Sequence, residues 1–221
     1  METCLILGKR GYENYYALAE QILRAHFLPA QLLDTSFIPE YEDKSKEGQY
    51  RMASRAKGAF GFPTPYGHED KKGAWISFNW DIVGGGVNGL CEAYKEIAYI
   101  KDDVLVVPMH FAIDNQFVSM TDPYLSNGIM TIIPKADVKS VKLRMPHRAK
   151  IKSASHTYTL DGEWLYFIID SKPLVIEFEF ETVDIDYQFR GANIVLRWKG
   201  ESVICSNNLD RRLCYFDNIE K

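Results

Sequence analysis

Between Leu174 and Cys205 apolar and polar residues alternate, and the alternation changes parity at three points. Ile176, Phe178 and Phe180 alternate with Glu177, Glu179 and Glu181, the period-two pattern of a half-buried strand. After Glu181-Thr182 the apolar set becomes Val183, Ile185, Tyr187 and Phe189. A two-residue loop there pairs Phe180 with Val183. A second loop at Gly191-Ala192, with Gly first as a type II′ turn prefers, pairs Phe189 with Ile194, Tyr187 with Leu196 and Ile185 with Trp198. A third at Gly200-Glu201 pairs Trp198 with Val203 and Leu196 with Cys205. All the large apolar residues then share one face, and a one-residue slip in any loop would destroy that agreement.

The same reading extends towards the N-terminus. Strands are expected at Val104–Ile113, Phe117–Met120, Ile129–Ile133, Val138–Met145, Lys150–Leu160, Glu163–Ile169, Leu174–Phe180, Val183–Arg190, Asn193–Lys199, Ser202–Ser206 and Arg212–Asp217. Asp161-Gly162 is the strongest hairpin signal among the joints. So many sequential antiparallel strands leave two long edges unless the sheet closes on itself. The expected fold is therefore α+β, mainly β. An antiparallel up-and-down meander, as a barrel or strongly curled sheet, fills the C-terminal half, with a small α/β portion ahead of it. The whole of 1–221 is expected as one domain, with 1–100 as an α/β cap and 101–221 as the meander.

In the N-terminal part, Thr3–Leu7 reads as a short strand. Tyr15, Leu18, Ala19, Ile22 and Leu23 recur at helical spacing over Tyr12–His26, and Pro29 ends that helix. Gly58–Gly73 reads as a long turn-rich loop, a length that in compact domains goes with function or disorder. A strand at Trp75–Val83 and a helix from Leu90 to Ile100 follow. Between them, Gly84-Gly85-Gly86-Val87-Asn88-Gly89 fits G-x-G-x-x-G. In a dinucleotide site the first glycine makes the tight turn, the second admits the pyrophosphate and the third packs helix on strand. Asp81–Tyr94 resembles the glycine motif that opens flavin-dependent amino-acid oxidases. That resemblance implies FAD or NAD held at Gly84, Gly86 and Gly89. Against it, no further βαβ unit follows to complete a doubly wound sheet, and a Gly-rich turn explains the residues without a ligand.

Charge adds exclusions more than sites. With 26 basic and 30 acidic side chains the net charge is −4, and no basic patch suggests nucleic acid. The locally basic stretch Lys135–Lys152 alternates as a solvated sheet face would. Glu177, Glu179, Glu181, Asp184 and Asp186 form an acidic strip, which the hairpin register runs into Arg197 and Lys199: Asp186 opposite Arg197 and Asp184 opposite Lys199. A charge ladder accounts for the strip, so no metal is expected. No apolar run suits a membrane helix and no leader is evident. Cys205 would fall opposite Cys214, and a cytoplasmic pair of reduced thiols is the simpler account.

Candidate chemistry is sparse. There is no nucleophile elbow, P-loop or zinc motif, so no catalysis is assigned. His68-Glu69-Asp70 groups metal-binding and proton-shuttling types in the long loop. His26 and His110 read as core histidines. The excess of aromatics expected to face inward suggests a non-catalytic binding module for a small apolar or aromatic ligand, with His156, Trp164, Tyr187 and Trp198 lining its pocket. The alternatives are a nucleotide- or flavin-binding enzyme using Gly84–Gly89, and a protein-interaction domain of the inhibitor or immunity type with a protein partner.

Overall fold

The computed structural model describes residues 1–45, 50–60, 80–170, 173–209 and 215–220. The protein is mainly β, with antiparallel sheets and a few helices. The helices are α1 (Glu2–Lys9), α2 (Tyr15–Ile22) continued by a π-helical turn at Leu23–Phe27, α3 (Met52–Ala56) and α4 (Trp80–Lys95). The strands are β1 (Tyr99–Lys101), β2 (Val104–Val107), β3 (Ile113–Asp114), β4 (Val118–Met120), β5 (Ile129–Pro134), β6 (Ser140–Arg144) and β7 (Ala149–Ala154). They continue as β8 (Tyr158–Asp161), β9 (Trp164–Ile168), β10 (Leu174–Phe180), β11 (Thr182–Phe189), β12 (Ala192–Lys199) and β13 (Ser202–Ser206).

Two local expectations are overturned at the helices. Thr3–Leu7 is helical: Glu2 in the first turn and Lys9 in the last suit the helix dipole, and Gly8 admits the Tyr16 ring where a Cβ would stand 2.7 Å from it. The Gly84–Gly89 run lies inside α4 instead of in a turn between strand and helix. Gly86, Gly89 and Ala93 are buried at helical spacing along it, a small-residue stripe that lets neighbours approach closely. The start of the expected Trp75–Val83 strand, most of the 58–73 loop with His68, Glu69 and Asp70, and Cys214 lie outside the described residues.

The chain divides into two compact units that interleave in sequence. One comprises 1–21, 89–183 and 199–201, the other 22–88, 184–198 and 202–221. The first contains two five-stranded sheets, in the orders β1-β2-β6-β9-β8 and β3-β4-β5-β10-β7. Every adjacent pair is antiparallel except β2 with β6, which run parallel through Val104↔Ser140 to Val107↔Leu143. One face of each sheet is sealed from water. Leu105, Val107, Val141, Leu143, Leu165 and Phe167 belong to the first, Met130, Ile132, Leu174 and Ile176 to the second, and all have zero exposure. A double layer of this kind buries its apolar rows without closing into a barrel, and no closed barrel is formed among the described residues.

The other face of the first sheet carries Tyr99, Lys142, Arg144 and Trp164, and the segment leading through α2 meets it. Glu13, Tyr16 and Glu20 recur at helical spacing and engage Lys142, the Glu96–Tyr99 corner and Arg144 respectively. Amphipathicity here is polar as well as apolar: one stripe of the helix brings acids and a tyrosine to a row of bases and aromatics.

The meander expectation is corrected at its first hairpin. β10 pairs with β5 and β7, while β11 belongs to a separate three-stranded sheet of order β11-β12-β13, so Glu181-Thr182 does not turn β10 onto β11. The opposing bases on β7 explain the preference. Glu179 faces Lys150, and Glu177 receives Lys152 Nζ at 2.9 Å, where the anticipated hairpin would have set both glutamates against Asp184 and Asp186. The expected Lys150–Leu160 strand is likewise two strands, since Ser155–Thr157 carries the chain from one sheet to the other.

In the second unit, strands end at Phe189 and resume at Ala192. The loop is therefore Arg190-Gly191, with φ of 49° and 80°, the two left-handed residues of a type I′ turn. Arg197 accordingly meets Asp184, through bonds of 2.7 and 2.9 Å, and Gln188 meets Asn193. The register is displaced by two residues from the one expected. A displacement of two preserves the faces, and Ile185, Leu196, Trp198 and Val203 do collect in one cluster with Ile219. The hairpin outruns that cluster, which leaves Tyr187 and Phe189 exposed instead of inward. A second cluster joins Leu32, Ala56 and Tyr215.

Candidate functional site

Two places in the first unit concentrate chemistry: a sealed ionic network around Arg144 and an open cleft at the far ends of the sheets. Arg144, at the end of β6, is fully buried. Its Nη2 donates to Glu20 Oε2 at 2.5 Å, its Nη1 to Glu201 Oε1 at 2.8 Å, and its Nε to the Pro108 carbonyl at 2.7 Å. His110 closes the ring. Nδ1 lies 2.9 Å from Glu20 Oε2 and Nε2 lies 2.6 Å from the Arg144 carbonyl, while the His110 backbone N–H donates to Glu20 Oε1. Nε2 faces a carbonyl, which only accepts, so that nitrogen donates, while Nδ1 lies between Glu20 Oε2 and Arg144 Nη2, the latter at 3.4 Å. Glu201 also accepts from the Tyr124 hydroxyl and the His147 backbone N–H.

Burial works against the Arg144 charge, and the Glu201 and Glu20 carboxylates outweigh it, so its guanidinium is held above the ordinary arginine range. Glu20, His110 and Glu201 bring ligand atoms within 4.8 Å of one another, a spacing that could suit a metal ion. Here the guanidinium already uses the carboxylate lone pairs a cation would need, and the groups are sealed from substrate. The network is a structural keystone of the unit. Gly200, with φ +58°, is required beside it because a Cβ there would run into the Tyr124 hydroxyl.

The cleft is of another character. It has a volume of 580 Å³ where β5 runs into β6 and β9 approaches β10. Ile133, Pro134, Val138, Ile168 and Pro173 give it apolar walls, and Asp137, Lys139 and Asp170 stand among them. Ile168 is 82% exposed, although β9 is otherwise rich in buried apolar side chains. Lys139 reaches Asp103 at 3.0 Å.

The anticipated pocket residues are distributed over the two units. His156 and Trp164 belong to the first, Tyr187 and Trp198 to the second. His156 is half-buried at the corner between β7 and β8. Its Nε2 lies 3.1 Å from Asp170 Oδ1 and its Nδ1 2.8 Å from Ser155 Oγ, which places it beside the cleft wall. Trp164 sits near the opposite end of the β8–β9 hairpin, buried beneath the Lys142 ammonium at 4.3 Å from its ring. Trp198 belongs to the apolar cluster of the second unit and Tyr187 is exposed. Gly84 and Gly85 are exposed on α4, while Gly86 is a packing glycine whose Cβ would stand 2.5 Å from the Phe60 ring. Cys205 carries a free thiol, as do Cys4 and Cys91.

Glu20, Arg144 and Glu201 carry no motif that marks them. Glu20 reads as one more polar helix residue, Arg144 as part of a basic strand face, and Glu201 as a turn position. His110 in an apolar strand is the one signal that pointed to a satisfied buried group. Within the basic stretch Lys135, Lys139 and Lys152 are exposed and pair with carboxylates at the surface, while Lys142 and Arg144 are covered and pair with Glu13 and with Glu20 and Glu201. No helix among the described residues is long and apolar enough to cross a membrane.

No protein-family model matches the chain, and no curated protein matches it. Among solved structures it is similar to a GH127 β-L-arabinofuranosidase from Geobacillus stearothermophilus T6, at a TM-score of 0.40 and 14% identity. The match covers 72% of this chain and 27% of that one, so the chain spans about a quarter of that enzyme's length. A likeness at this level carries no argument about activity.

Proposed function

We propose that the protein is a non-catalytic binding module that takes a small, mainly apolar ligand in the cleft between the β5–β6 joint and the end of β9. The observation that carries this reading is the concave apolar wall itself, with Ile168 and Ile133 held towards solvent at 82% and 44% exposure inside a 580 Å³ recess. Small-molecule sites are concave, mostly apolar, of this size and furnished with a few polar groups. The sealed Arg144 network supplies rigidity to the sheet from which the cleft is built. The reading puts the protein in the cytoplasm, where the three free thiols at Cys4, Cys91 and Cys205 would persist.

The test is fluorescence titration with the uncharged apolar probe N-phenyl-1-naphthylamine, on wild type and on Ile168→Asn. Covering an isoleucine is worth about 1.5–3 kcal/mol, so the variant should bind roughly tenfold more weakly or worse. Equal affinity of the two proteins sinks the cleft reading. A protein-interaction role is the second reading, favoured by Leu125, 83% exposed in the same unit. Native mass spectrometry of the untagged protein separates the two, since a retained small molecule and a retained protein differ by kilodaltons. A nucleotide or flavin site at Gly84–Gly89 has lost the tight turn on which it rested, and no feature of α4 favours it.

A further inference from the structure

We infer that the first unit carries a second binding site, for an uncharged saccharide, in the recess between the end of α4, β1 and the β3–β4 turn. It lies apart from the apolar cleft and does not depend on it. The recess has a volume of 440 Å³, with Tyr94, Tyr99 and Phe117 in its walls and the amides of Asn115 and Gln116 beside them. All of these residues belong to the same compact unit. Tyr94 and Phe117 stay 50% and 36% exposed, although burying such rings would be favourable. Tyr99 is tied from behind: its hydroxyl bonds to that of Tyr16, which donates to Glu96, so its ring is left to form the wall. Asn115 Oδ1 accepts from the backbone N–H groups of Phe117 and Val118 at 2.8 and 3.0 Å. That fixes the amide plane and leaves Nδ2 a donor without a partner among the described residues, and the Gln116 amide has none there either. Lys95, the charged side chain on the wall, is held by Glu92 at 2.7 Å, so an anion finds no spare cation and an ammonium meets a like charge. The recess therefore suits a ligand without charge that has an apolar face for the rings and hydroxyls for the amides. A sugar ring has both. Its C–H groups carry partial positive charge against the negative faces of Tyr94 and Phe117, and its hydroxyls donate and accept as the amides do. A purely apolar ligand would strip water from those amides and return no hydrogen bond.

The experiment is saturation-transfer NMR on the full chain. The probes are the methyl glycosides of glucose, galactose, mannose, xylose and N-acetylglucosamine, with cyclohexanol as a ring of similar size bearing a single hydroxyl. Transfer to at least one glycoside is expected, and cyclohexanol should bind about fivefold more weakly than the best of them. Tyr94→Leu keeps an exposed helix position apolar and removes only the ring, so the affinity for that glycoside should fall about fivefold. Asn115→Asp retains an oxygen for the two backbone bonds and removes the Nδ2 donor, for a loss of about threefold. No transfer to any glycoside overturns the site. Cyclohexanol binding as tightly as the best glycoside overturns the saccharide assignment, and full affinity in both variants places the sugar elsewhere and overturns the recess.

Discussion

Arg144 and Arg197 both sit on β-strands and both hold carboxylates through charged hydrogen bonds, yet their surroundings are opposite. Arg197 grips Asp184 with two nitrogens on an open sheet face, both side chains being 47% exposed. Arg144 grips Glu20 and Glu201 with every side chain sealed from water. An exposed pair exchanges water for protein at little gain, since solvent screens the attraction and two side chains lose freedom. A sealed one has no such exchange to fall back on. Removing the arginine strands two carboxylates in a medium that cannot solvate them. The same chemistry is thus ornamental in one place and structural in the other, and burial decides which.

The sharpest way to break the comparison is at its buried end. Arg144→Met should destabilise the protein by about 3–5 kcal/mol, read from the urea midpoint, and an effect near zero would mean that water reaches Glu20 and Glu201. Tyr124→Phe removes the hydroxyl that donates to the Glu201 carboxylate and accepts from the Glu201 backbone N–H at 3.2 Å, and leaves Arg144, Glu20 and His110 in place. A hydrogen bond to a charged group implies a loss of about 1.5–3 kcal/mol, and additivity with Arg144→Met would show that the two do not share Glu201. Tyr16 sharpens the contrast through pH. Its hydroxyl donates to Glu96 at 3.1 Å, and burial, then Tyr99 and Glu96, push its ionisation well above the ordinary tyrosine range. The unfolded chain ionises this group first, near pH 10, so the stability it contributes is complete below that pH and falls as the pH rises further. Tyr16→Phe should flatten the alkaline slope of the urea midpoint, and an unchanged slope would remove Tyr16 from the account. At the exposed end, Arg197→Ala should leave the urea midpoint within the error of the measurement. A clear loss there would mean that this face is covered in solution.

What could be read from residue order follows from how local each cause is. Ser202–Ser206 and Leu174–Phe180 were recoverable to the residue because alternation and adjacent turn signals are local, and α2 because its apolar spacing is. Partner choice was not. β10 has the right pattern for a hairpin with β11, but Lys150 and Lys152 on β7 make better neighbours for Glu177 and Glu179, and alternation carries no information about such pairing. The Arg190-Gly191 loop escaped for a related reason. Apolar parity determines faces, and a register moved by two residues has the same faces, so the polar cross-strand pairs Asp184–Arg197 and Gln188–Asn193 reveal it. The Gly84–Gly89 run misled because one spacing serves both a phosphate-binding turn and a packed helix stripe. The candidate cleft was legible only through His156, which stands beside it. Its walls come from Ile133, Ile168 and Pro173, residues that on their own read as strand ends and loop.

The loop that carries Gly200 and Glu201 has a kinetic consequence. Glu20 and Arg144 are separated by 124 positions in the chain, and Tyr124 and Glu201 by 77. Closing such contacts demands large losses of chain entropy before any reward arrives, a slow route compared with helix formation. During synthesis, α2 and β6 emerge well ahead of Glu201, and until it does Arg144 has only part of its counter-charge. The first unit therefore cannot reach its final state on the ribosome until Glu201 has been made, and its sheets must wait, unlocked, for the loop that carries it.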